Sequence, residues 1–86
     1  MTTTGFNYSH SGPAGALGAV TPNDGTDLPA VAKALWIGGA GNVSIIAEND
    51  TAPVTLNSVA AGTMITVRVK RVRATGTTAT NIVALS

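Results

Sequence analysis

This 86-residue sequence has no cysteine, one histidine, and one each of Phe, Tyr and Trp. Each shortage excludes something. Without cysteine there is no disulfide staple and no thiolate metal site. His10 alone cannot build a histidine-based metal centre. Charged side chains make up 10% of the chain, against about 25% in average proteins. No apolar run approaches the roughly 18 residues that a membrane helix needs. Residues 28–40 come nearest, and Pro29 and Lys33 interrupt them. Residues 1–8 hold no Lys or Arg and no apolar stretch follows, so neither a secretory leader nor a membrane partner is expected.

Small and β-branched residues fill the space. Fourteen residues are Ala, and Thr, Val and Ile number 13, 9 and 5. Such side chains suit strands and make a thin core. A short chain with a thin core and no disulfide or metal usually gains stability from neighbours. A homo-oligomer is therefore expected.

Two regions are distinguished. Residues 1–27 read as an extended N-terminal arm rich in Gly, Ser, Thr and Pro, and residues 28–86 as a small β domain. Phe6 and Tyr8 in the arm are candidate anchors, either on a partner or on this chain's own β domain. In the β domain, short strand-like runs alternate with turns every 8–12 residues. The pattern predicts an all-β fold, a small antiparallel β-sandwich or barrel of five to seven short strands. One helical turn is the most that residues 28–35 allow. The runs 33–37 and 42–48 are expected to form a hairpin across Gly38-Gly-Ala-Gly-Asn42. Met64-Ile-Thr-Val-Arg-Val-Lys-Arg-Val-Arg73 reads as the longest strand, with Ile65, Val67 and Val69 on one face. Its alternation slips at Lys70-Arg71. Either a β-bulge lies there or the strand ends at Lys70, and the bulge is favoured because it returns Val72 to the apolar face.

Chemistry finds little material. Asp24, Asp27, Glu48 and Asp50 fall in turns or at strand ends, where carboxylates are usually solvated. Asp24 and Asp27 could ligate a hard cation, but no calcium-loop pattern surrounds them. Gly38–Gly41 lacks the Lys and the following helix of a phosphate loop. Asn49-Asp-Thr51 matches a glycosylation acceptor, expected here by chance. No catalytic residue, cofactor or metal is expected, and the chain does not read as an enzyme.

The remaining charge feature is basic. Arg68, Lys70, Arg71 and Arg73 are four of the five basic residues. Such a strip can bind nucleic-acid phosphate. The net charge of +1 and Trp36 as the sole aromatic of the strand region argue against it. The favoured reading is an interface strip meeting acids of a neighbouring subunit, or a solvated edge. Trp36 joins Phe6, Tyr8 and the four basic residues as an interface candidate.

Several stretches together resemble a known family: Asp27-Leu-Pro, Ala34-Leu-Trp-Ile-Gly-Gly-Ala-Gly-Asn-Val43, Val59-Ala-Ala-Gly-Thr63, and Val67-Arg-Val-Lys-Arg-Val-Arg-Ala-Thr-Gly-Thr-Thr-Ala-Thr-Asn-Ile-Val-Ala-Leu85. Residues 22–86 resemble the head spike base proteins of tailed bacteriophages and of the gene transfer agents of alphaproteobacteria. The resemblance implies a structural virion protein on the capsid surface of the head. It would form the oligomeric base of a spike or fibre, or decorate and cement the shell. The implied partners are further copies in a pentamer or trimer, the major capsid protein and a spike or fibre protein. A tail or receptor-binding component of the virion is the other virion reading, and a nucleic-acid-binding module on the basic strand is the reading from another class.

Overall fold

Alternating Val, Ile and Thr favour the pleated backbone. The computed structural model describes residues 14–86, and every regular element there is a strand. The strands are β1 (Leu17–Ala19), β2 (Ala34–Gly39), β3 (Gly41–Ala47), β4 (Val54–Val59), β5 (Thr63–Ile65), β6 (Val69–Val72) and β7 (Thr80–Leu85). They form two antiparallel sheets, ordered β1-β7-β2-β5 and β4-β3-β6. The fold is a small β-sandwich. Its core is aliphatic: Leu35 and Ile37 of β2 meet Val43, Ile45, Ile65, Val69, Val72 and Ile82, with Ala32 and Ala79 filling the ends.

The expected hairpin is not formed. Only Ala40 separates β2 from β3, and the two strands lie in different sheets. The chain steps from one layer to the other there. The glycines serve close approach rather than a tight turn. A Cβ on Gly41 would sit 2.5 Å from the Ala79 nitrogen, and one on Gly38 would sit 2.8 Å from the Asn81 carbonyl oxygen.

The long strand is split. β5 pairs with β2 in one sheet and β6 with β3 in the other. Residues 66–68 carry the chain between them. This crossing breaks the two-residue period, and Val67 is exposed rather than aligned with Ile65 and Val69. The bulge is present. Ile46 faces Arg71 and Ala47 faces Val69, so Lys70 is the extra residue. Val69 and Val72, three positions apart, are both buried as a result.

No helical turn forms over residues 28–35, where Ala32 instead bridges Val69 in antiparallel fashion. Residues 14–27 run along the sandwich. β1 pairs with β7, and the Asn23 and Leu28 amides donate to the Val72 and Lys70 carbonyls at 2.9 and 2.8 Å. Those bonds cover the outer edge of β6, which would otherwise invite another strand.

Candidate functional site

Three features of the sandwich bear on function: the arginines of β6, the loop after them, and the outer face of the four-stranded sheet. The bulge turns Lys70 and Arg71 out between the buried Val69 and Val72. Arg71 Nε then donates to Asp27 Oδ1 at 2.7 Å, and its Nη1 donates to the Asp24 carbonyl at 3.1 Å. Arg73 Nε lies 3.4 Å from Asp24 Oδ1, and Arg68 Nη1 lies 3.5 Å from Glu48 Oε1. Three of the four acids expected in solvated turns, Asp24, Asp27 and Glu48, are thus partners of the basic strip, within one chain. The sequence separation of 44 residues between Arg71 and Asp27 hides this pairing from any local pattern. Among the described residues Lys70 forms no ion pair. Exposed pairs of this kind are weak and screened by salt. Their main effect is to remove the positive field a phosphate backbone would seek.

Asp24 is the most heavily engaged acid. It accepts the Thr75 amide at 2.9 Å and the Thr75 hydroxyl at 2.7 Å. The amide bond, then the hydroxyl bond, and then the Arg73 charge hold its carboxyl below the ordinary 3.8. A carboxyl lowered on folding stabilises the fold above its ordinary value and loses that contribution as pH falls through the lowered one. The thermal midpoint is therefore expected to fall as pH drops below 3.8. Asp24→Asn should flatten that acid limb, measured by thermal unfolding from neutrality to pH about 2. Equal acid limbs in the two proteins would dismiss the role given to Asp24.

The loop after β6 stitches the two sheets together. Thr77 Oγ1 accepts the amide of buried Ser44 at 2.9 Å. The Thr78 and Ala79 amides donate to the Asn42 carbonyl, and the Asn42 amide donates to Thr78 Oγ1 at 2.8 Å. Gly76, at φ 91°, turns the loop over Ser44. The Ala74-Thr-Gly-Thr-Thr-Ala79 stretch that carries the family resemblance is therefore structural hardware in this fold.

One groove of about 260 Å³ is lined by Thr21, Asn23, Thr26, Asp27 and Val72, and its carboxylate, Asp27, is already engaged by Arg71. A groove of about 200 Å³ between β1 and residues 28–30 is lined by Leu17, Val20, Leu28, Pro29 and small neighbours, with no titratable side chain. Ligand pockets usually exceed about 300 Å³ and converge polar groups. Among the described residues no three His, Asp or Glu gather as a metal site.

The third feature escaped the sequence reading. Leu35 and Ile37 point into the core, so the register sends their neighbours outward. Leu17, Leu85 and Ala34 form one cross-strand row, and Ala19, Val83, Trp36 and Met64 form the next. No polar or charged side chain interrupts either row. Leu17 is 72% exposed, Met64 44% and Trp36 41%. The signal was visible: Ala34-Leu-Trp-Ile37 and Ile82-Val-Ala-Leu85 are apolar at every position, the pattern of strands covered on both faces. Of the interface candidates, Trp36 lies on this face and the four basic residues lie on or beside β6. Phe6 and Tyr8 fall outside the described residues.

No protein-family model matches the chain, and no curated protein matches it in sequence. Among solved structures, a chain of the "Capsid of native GTA particle computed with C5 symmetry", a gene transfer agent, is similar to it. The two are 34% identical, the match covers 100% of each chain, and the TM-score is 0.82.

Proposed function

The chain belongs to the same family as that capsid chain and is a structural, capsid-associated virion protein; we propose that it sits on the outer surface of the head as the oligomeric base of a spike or fibre. The end-to-end match at 34% identity carries the reading. A base of this kind needs surfaces rather than a catalytic centre. It holds one face to the major capsid protein, offers another to the spike or fibre, and closes on copies of itself as a pentamer or trimer. The chain has the matching properties: a small aliphatic sandwich, a Gly- and Ser-rich N-terminal arm, and a broad apolar face. Of the arm, residues 1–13, ahead of the part that runs along the sandwich, are proposed to reach the shell, with Phe6 and Tyr8 as anchors.

Labelling of the chain on intact particles tests the location. Label at the head vertices is the expected result. Label spread over the whole shell would make the chain a lattice-wide cement, and label on the tail would overturn the head reading. Deletion of residues 1–13, which leaves β1 intact, should lower occupancy on particles reconstructed by cryo-electron microscopy, and unchanged occupancy would remove the arm from the attachment. Retention of the chain on DNA at low salt, lost steeply as salt rises, would point instead to the basic strand.

A further inference from the structure

We infer that the outer face of the β1-β7-β2-β5 sheet is an interface between copies of this chain, with Trp36 at its centre. The inference deepens the oligomeric part of the proposed function and rests on it.

The sequence pattern first requires a cover. Strands buried on one face alternate, whereas strands buried on both faces are apolar throughout. β2 and β7 are the middle strands of their sheet and carry the second pattern over Ala34–Ile37 and Ile82–Leu85, yet among the described residues only their inner face is covered. Leu17, Trp36 and Met64 remain open to solvent.

Charge then favours a like copy as the cover. The face holds no charged side chain, so it offers a foreign partner no charge to recognise, and a second copy needs none. The net charge of +1 gives little repulsion between copies. Arg68, Arg71 and Arg73, on and beside β6, are already paired with Glu48, Asp27 and Asp24 of their own chain.

Area sets the geometry. The two rows comprise seven residues, against about 20–30 a side in a standard interface. One partner in a stable pairwise complex contributes about 800 Å². The face is too small to hold a lone pair of chains. It suits a contact repeated around a closed ring, where every copy is held on two sides.

Trp36 is the sole tryptophan and reports its own burial. The test uses the full chain, purified without other virion proteins. Native mass spectrometry is expected to find a closed oligomer. Trp36 emission should move to the red when dilution releases monomer. Met64→Lys and Trp36→Lys should each weaken association at least about thirtyfold, the loss found at interface hot spots. Both side chains point outward, so far-UV circular dichroism and the thermal midpoint should stay near those of the parent. Val54→Lys, at an exposed apolar position on β4 of the other sheet, should leave association unchanged. Met64→Thr keeps strand propensity and serves as the milder variant. Variants that associate as tightly as the parent would overturn the inference while leaving the oligomer reading intact. A parent monomeric at about 100 µM, a concentration at which stable complexes persist, would overturn it as well. So would a monomer whose Trp36 emission shifts only when residues 1–13 are deleted, since the face would then be covered by its own chain. Location on the particle is read separately by the labelling above.

Discussion

Gly41→Ala is expected to cost the protein about 3–6 kcal/mol of stability. The added Cβ would lie 2.5 Å from the Ala79 nitrogen and 2.8 Å from both the Ala79 Cα and the Thr78 carbonyl carbon. These are backbone atoms, and they are held in place. The Thr78 and Ala79 amides donate to the Asn42 carbonyl at 2.8 and 3.1 Å, immediately beside the substituted residue. Gly41 also has φ 156°, a backbone that side chains resist. Relieving the overlap means parting the loop from β3 and opening the step between the two sheets. Overpacking alone costs about 1–3 kcal/mol, and the lost hydrogen bonds add about 1 kcal/mol each. A domain of this length holds about 4–13 kcal/mol in all. Urea denaturation measures the effect. Gly18→Ala is the control, because nothing lies within 4 Å of its added Cβ. That change should be neutral or stabilise by up to about 1 kcal/mol through the unfolded chain. Equal midpoints for the two variants would show that the close approach at Gly41 is not needed.

The second large effect is expected at Leu35. It is fully buried, pairs with Ile65 on one side and Ala84 on the other, and faces the three-stranded sheet. Leu35→Ala leaves a cavity that β2, fixed by two neighbours, cannot collapse to fill. The cost is about 2–5 kcal/mol. Among the described residues no aromatic side chain belongs to the core, so no large neighbour there can swing in to take the space. Leu17→Ala on the exposed row should change monomer stability by less than about 0.5 kcal/mol. A small loss at Leu35 would mean that the core holds less of the stability than its burial implies.

Much of the fold is legible in local pattern. The two-residue period marks the strands, and the slip at Lys70-Arg71 marks the bulge, because a bulge leaves its trace in one strand alone. Layer membership leaves no such trace. Ala34–Gly39 and Gly41–Ala47 look like the arms of a hairpin, and only the close approach of Thr78 and Ala79 reveals that the chain changes sheet at Ala40. Val67 misleads for the same reason, since crossing between sheets rotates the chain out of register. The ion pairs of Arg71 and Arg73 were hidden by separation rather than by chemistry. Asp24 and Asp27 are visible as acids, but nothing near them announces partners at the far end of the chain. The apolar face was readable, and its signal was continuity rather than alternation. Counting which strands lack polar positions on both sides would have located it.

The pairing of β1 with β7 ties Leu17 to Leu85, near opposite ends of the chain. During synthesis the four-stranded sheet therefore cannot close until β7 has left the ribosome. The exposed rows on its outer face draw on β1, β2, β5 and β7, so they too form only once β7 is in place. A chain that lacks β7 has neither row in finished form.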